Sequence, residues 1–220
     1  MLERTLEPEF NDDVAETALY DGMGHAAVNE QFVLDLLAGG EVGPDVMDMG
    51  TGTARIPILL CQRTPHVRVM AVDAAISMLE QARTNIDIAM LLDRIQLEHD
   101  DVKQLDVFAD QMFDTVISNT IMHHLAEPAM ALRQSLRLIK PGGRVFHRDL
   151  MRPATAEQVE DLVQANAGGE PDTAQQLLRQ SLHAALTLDE ARQMAVGHGL
   201  AADSVQATSD RHWTLNAILG

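Results

Sequence analysis

The sequence predicts an α/β fold: a mostly parallel sheet with helices on both faces. Three observations carry this reading. From residue 45 onward, short β-rich runs alternate with segments of helical period. A glycine turn, "DMGTG" at 48–52, closes the first of those runs and opens a helix. The tail, "DSVQATSDRHWTLNAIL", offers two short strands joined near Ser209-Asp210, an antiparallel hairpin suited to a sheet edge.

Residues 1–44 read as mainly helical, with "HAAVNEQFVLDLL" (25–37) the clearest segment. "DVMDM" (45–49) is a buried strand and is followed by a helix from Ala54 to Arg63. "VRVMAVD" (67–73) is the next strand, and "ISMLEQARTNIDIAML" (76–91) is an amphipathic helix. "RIQLEHD" (94–100) and "FDTVISN" (113–119) are strands, and a helix runs from Pro128 to Ile139. "PGGRVFHRDL" (141–150) is a Gly-punctuated turn into a fifth strand. Residues 154–186 read as two helices split by "GGEPD", and 187–199 as a helix with a Thr cap and a glycine end.

With 220 residues, the chain suits one domain with a sizeable core. Its formal net charge of −17 repels phosphate backbones, and the arginines are scattered singly, so nucleic acid is not an expected partner. Cys61 is the only cysteine, which excludes an internal disulfide and a Cys-based metal cluster. No H-E-x-x-H pair is present, so no metal is expected. The acidic start "MLERTLEPEF" is neither a signal nor a transit peptide, and no apolar run is long enough to span a bilayer. A soluble, cytoplasmic monomer or homodimer is expected.

The glycine turn suits a cofactor, and its spacing limits which one. A dinucleotide fingerprint needs a third glycine for close helix–strand packing, but Arg55 stands there, where a guanidinium is expected to obstruct it. No Gly-Lys-Ser/Thr follows, which excludes a P-loop. Asp73 ends the second strand about twenty residues further on, where a carboxylate can accept hydrogen bonds from both ribose hydroxyls.

With these residues in place, the chain resembles the class I S-adenosylmethionine (SAM)-dependent methyltransferases over 45–150 and the tail. "VMDMGTGTAR" is similar to their first motif, "VMAVDAAISMLEQA" to the second and "EHDDVKQL" to the adenine-flanking motif. "FDTVISNTIMHHL" resembles the fourth motif, and "LIKPGGRVFHRDL" the fifth strand with the turn before it. The resemblance implies a Rossmann-like, seven-stranded sheet of order 3-2-1-4-5-7-6 with strand 7 antiparallel. It also implies SAM as cofactor and S-adenosyl-L-homocysteine (SAH) as product. The cofactor contacts it implies fall on Asp48, Met49, Gly50, Thr51, Gly52, Asp73, Ala74 and Met78. They continue through Asp100, Asp101 and Val102, with Asp101 rather than Asp100 at the adenine amino group. Asn119, Thr120 and Ile121 would face the sulfonium, and Tyr20 resembles a lid tyrosine over the methionine portion. Residues 1–44 and the insertion 151–186 would form helical lids on this single domain.

Methyl transfer is an in-line displacement in which positioning supplies most of the catalysis, and a base helps only where the acceptor must lose a proton. His123 and His124 follow the fourth strand, and neighbours on a helical turn are expected to point apart, so one of them would face the pocket. Asp149 is the third catalytic candidate. His147 lies near it on the same strand, as does Arg148, which is also a candidate substrate contact, and Arg148 with Asp149 equally suits a mutual or interdomain ion pair. His25, Arg211 and Trp213 are further candidate substrate contacts, with Trp213 read also as an edge-strand residue packed on a helix. Asn119 precedes Thr-Ile rather than the Pro-Pro-aromatic usual in methylation of base or glutamine amino groups. The expected function is methyl transfer to a small molecule, and the alternative is a SAM-binding protein without catalysis.

Overall fold

The computed structural model describes residues 2–7, 12–22 and 26–220, apart from the side chains of 15, 16, 19 and 20. The residues gather into two compact units. The larger comprises 10–119, 130–147 and 217–220, and the smaller 1–9, 120–129 and 148–216.

The chain runs α1 (Val14–Gly22), α2 (Ala26–Ala38), β1 (Asp45–Met49), α3 (Arg55–Arg63), β2 (Arg68–Asp73), α4 (Ile76–Ile88), β3 (Ile95–His99) and β4 (Phe113–Asn119). It continues through α5 (Pro128–Leu138), β5 (Ile139–Leu150), α6 (Ala156–Ala167), α7 (Asp172–Ala184), α8 (Leu188–Gly197), β6 (Val205–Ala207) and β7 (His212–Ile218). The seven strands take the order β3-β2-β1-β4-β5-β7-β6, as the resemblance implied. β1 pairs in parallel with β2 and β4, and β2 with β3, while β6 and β7 are antiparallel.

In the larger unit the inner strands read as near-continuous apolar runs because helices bury both faces of a parallel sheet. Val46, Met47 and Met49 of β1 are fully buried, as are Phe32, Val33 and Leu36 of α2. Phe32 meets Phe146 edge-on with centroids 5.2 Å apart, the geometry that ring quadrupoles favour. Asp48 lies level with Ala71 of β2 and Ile117 of β4, so the strand ends bring Asp48, Asp73 and Asn119 to one edge.

The smaller unit has its own core of Leu150, Val159, Val163, Leu182 and Ala185. Both of its clearest helix starts are capping boxes, Thr155 with Gln158 and Thr187 with Glu190, in which two otherwise orphaned amides are satisfied reciprocally.

Two boundaries differ from the sequence reading. β5 begins at Ile139 instead of emerging from a turn at Pro141. Gly142 N donates to Leu219 O (2.6 Å) and Leu219 N to Gly143 O (2.9 Å), so the Pro-Gly-Gly backbone is paired rather than looped. α4 stops at Ile88 because Met90 turns left-handed (φ 57°) and Leu91 N closes back on Ile86 O.

Candidate active site

In the larger unit, the turn after β1 depends on residues that tolerate positive φ. Gly50 (φ 72°) and Gly52 (φ 53°) adopt the left-handed region, and Ala54 (φ 60°) follows at the start of α3. Gly50 N and Thr51 N both donate to Val72 O at 2.9 Å, which ties the turn to the end of β2. Asp73 completes the clamp: Oδ2 accepts from Gly52 N at 2.7 Å and Oδ1 from Ala75 N at 3.0 Å.

Asp48 is 2% exposed beneath this turn. Burial pushes its carboxyl up to about 7, with the Asp73 charge adding to the rise and the Thr51 hydroxyl opposing it. At the next strand end, Asp100 N donates to Asp73 O (3.2 Å) and Asp101 N to Asp100 Oδ1 (2.8 Å). Asp101 Oδ1 accepts from Lys103 N (2.9 Å), and Val102 between them is buried. α1 is fastened to the first turn of α4, where Thr17 and Ser77 share a hydroxyl hydrogen bond (2.9 Å) and Asp12 accepts from Ser77 N (2.7 Å).

The smaller unit holds a different construction. Asp149, 1% exposed, accepts from Met122 N (2.5 Å) and His123 N (3.2 Å) on Oδ2. Its Oδ1 accepts from Leu150 N (2.6 Å) and lies 2.6 Å from His123 Nδ1. On the other side of that ring, Glu7 Oε1 lies 3.4 Å from His123 Nε2 and 2.9 Å from His124 Nδ1. Burial acts to lower the His123 pKa, but the adjacent Asp149 charge and hydrogen bond, with Glu7 behind them, raise it on balance. Arg4 anchors the extended N-terminal segment here through the carbonyls of Ala184 (2.6 Å) and Leu125 (2.9 Å).

A methyltransferase-domain family model matches residues 46–143, the stretch that contains the clamped turn. Over that stretch, a little under half of the chain, the protein is similar to methyltransferase domains. It is 27% identical over 145 residues to the biotin biosynthesis bifunctional protein BioHC of Teredinibacter turnerae, covering 64% of this chain and 25% of that protein. It is 33% identical over 121 residues to a tRNA1(Val) (adenine(37)-N6)-methyltransferase of Actinobacillus pleuropneumoniae, covering 54% and 44%. The chain thus spans between a quarter and less than half of the length of these curated relatives. Its fold matches that of a structure from Methanococcus maripaludis assigned to the SAM-dependent methyltransferases. That match has a TM-score of 0.75 at 19% identity, over 98% of this chain and 97% of that one.

Within the matched stretch, Gly50, Thr51, Gly52, Asp73, Ala74, Met78, Asp100, Asp101, Val102 and Asn119 all belong to the larger unit, along the glycine turn, the strand ends and the first turn of α4. Met49 closes β1 in the same unit. Its side chain is fully buried and accepts a hydrogen bond on sulfur from Ser135 Oγ (3.1 Å), so it offers a ligand its backbone. Arg55 departs from the sequence reading. It does not wedge between helix and strand but turns to the surface, where Asp21 binds its guanidinium through two bonds of 2.8 and 2.6 Å. His25 lies outside the described residues, and Tyr20 belongs to α1 with its side chain outside them.

In the smaller unit, Thr120 takes φ 55°, a strained value for a β-branched residue, and donates to Arg148 O at 2.8 Å. Ile121 follows it half-buried. The two histidines do not point apart, because 121–124 is a tight turn rather than a helix: their ring centroids are 4.1 Å apart and both reach Glu7. His123 is buried and committed to Asp149, which makes it a positioning residue, whereas His124 is half-buried. His147, in the larger unit, is buried against Ser135 Oγ (3.1 Å) and takes no part in this cluster. Arg148 and Asp149 do not pair with each other, since successive residues of a strand face opposite ways: Arg148 Nε donates to Thr214 Oγ1 at 3.0 Å.

Trp213 is fully buried, so it is a core residue and not a platform for substrate. Arg211 bonds Asn166 Oδ1 at the surface of the unit. Sequence reasoning missed Glu7, Arg4 and Ser181. Their only signal was the His-His pair, which Glu7 and Arg4 contact and Ser181 reaches through Glu7.

Proposed function

We propose that this protein transfers the methyl group of SAM to a small-molecule acceptor. The observation that carries the reading is the Asp73 clamp, which fixes a left-handed glycine turn and a ribose-accepting carboxylate together inside the family-matched segment. SAM, when bound, supplies a methyl group on a sulfonium that leaves as a neutral thioether.

The chain's own residues do the holding. Asp73 receives the ribose diol, and Asp48 sits beneath the turn as the carboxyl toward which an ammonium is drawn. Asp101 and the Val102 amide take the adenine, and Asn119, Thr120 and Ile121 take the sulfonium side. An aligned acceptor then reacts mainly through positioning, worth about 7–11 kcal/mol in favourable cases.

A net charge of −17 and the Asn-Thr-Ile sequence after β4 support a small molecule over the tRNA of the Actinobacillus relative. The test is ligand-dependent unfolding. SAH at a hundred times its Kd adds about 2.7 kcal/mol, a Tm rise of roughly 5–10 °C for a chain of this size. Asp73→Ala should weaken SAH binding about 10- to 150-fold, the equivalent of a charge-assisted hydrogen bond of about 1.5–3 kcal/mol. No shift with SAM or SAH, or equal affinity in the variant, overturns the reading. Labelled-methyl turnover on a panel of small acceptors separates an enzyme from a mere SAM binder.

A further inference from the structure

We propose that Glu7, His123 and His124 form a binding site for one first-row divalent cation, with Zn2+ the best match. This departs from the expectation of no metal and stands independently of the methyl-transfer reading, because all three residues belong to the smaller unit.

The donor set is one carboxylate oxygen and two imidazole nitrogens, all within 4.8 Å of one another. Tetrahedral zinc with bonds of about 2.0–2.2 Å separates its ligand atoms by about 3.3–3.6 Å. Glu7 Oε1 stands 3.4 Å from His123 Nε2 and 2.9 Å from His124 Nδ1, so the ligands need to move only by tenths of an ångström on these two edges. Three protein ligands leave a fourth position for water or a substrate oxygen, the open arrangement of catalytic zinc.

The hydrogen-bonding logic also calls for a cation. Asp149 accepts at His123 Nδ1 over 2.6 Å, which places the proton of a neutral imidazole on that nitrogen. Nε2 then presents a lone pair to the Glu7 carboxylate, a repulsive contact unless a positive species lies between them. Either a second proton on His123 or a metal ion resolves it. The surroundings favour a metal: a carboxylate holding the far nitrogen of a ligating histidine is the usual outer support of zinc. Asp149 is itself fixed by three backbone amides, and Ser181 Oγ donates to Glu7 at 3.2 and 3.4 Å. Half-buried His124 gives an ion a way in from solvent.

The experiment uses the full chain, stripped with a chelator and then titrated with Co2+ and Zn2+. The expected result is one equivalent of Co2+ bound, with the visible absorption of a four-coordinate N/O site, displaced by Zn2+. Glu7→Gln and His124→Gln, each checked for native far-UV circular dichroism and melting, should lower the metal affinity at least tenfold. Absence of stoichiometric binding by the native chain, or unchanged affinity in both variants, assigns the buried cation to a proton and overturns the proposal. SAH binding is read separately, so failure here leaves the methyl-donor reading distinguishable.

Discussion

Both units hold a carboxylate against backbone amides, yet they do so with residues drawn from very different distances along the chain. In the larger unit Asp73 accepts from Gly52 and Ala75, so one β–α–β unit and the residues just after it supply the whole clamp. In the smaller unit Asp149 accepts from Met122, His123 and Leu150, and the far side of the His123 ring is closed by Glu7 from the N-terminal segment. The first construction can be rebuilt from local spacing. The second exists only once remote segments have met. Its carboxylate is also the more completely enclosed, and its loss should cost more.

The largest expected effect is therefore Asp149→Ala. It leaves three amides and a buried imidazole without their acceptor, and breaking a buried pair of this kind costs about 3–5 kcal/mol. Urea unfolding should show that loss. A loss below about 1 kcal/mol would mean that Asp149 is not the keystone of the smaller unit.

The same contrast explains what the sequence disclosed. Strand order, the glycine turn and Asp73 follow from β–α alternation and from a spacing within one β–α–β unit, where periodicity and turn chemistry speak directly. Arg55 was legible as a break in the dinucleotide pattern, but its direction was not. Asp21, which draws it outward, lies in another helix. The positive φ of Thr120 left no local signature either, since it is held by pairing to β5 at Arg148. The Glu7 contact was invisible for the same reason. Trp213 looked exceptional because aromatics are scarce in this chain, yet scarcity says nothing about exposure, and burial of a large ring is the ordinary outcome.

A second way to separate the units is by pH, because each holds a buried group that titrates in the opposite sense. Asp48 is raised to about 7, so between pH 4 and 7 the native state keeps a proton that the unfolded chain has lost. Its contribution to stability falls across that window by about 4 kcal/mol and is flat above it. His212 is lowered to about 4 by burial, with Arg211 and Arg148 adding to the effect. Its contribution is complete above pH 6.5 and is lost as pH falls through 4, a change of about 3 kcal/mol. The two slopes oppose each other in the intact protein. Asp48→Asn should leave stability rising with pH relative to wild type over this range, and His212→Gln should leave it falling. Superimposable pH profiles for wild type and both variants would remove these two groups from the account.

The smallest effect is also the most informative about what the glycine turn holds. Below pH 7 most Asp48 carboxyls are protonated in the free protein. A ligand ammonium placed beside Asp48 favours the ionised form, so SAH binding at pH 6 should release up to about one proton. Affinity should then rise with pH by at most about tenfold per unit and level off above 7. Calorimetry at pH 6 in two buffers of different ionisation enthalpy reads the proton directly. Heats that do not depend on the buffer would confine Asp48 to orienting the turn, and Asp48→Asn should abolish any dependence that is seen. In the larger unit the ligand itself would then bring the cation that a buried carboxyl requires, whereas the smaller unit must draw its cation from solvent.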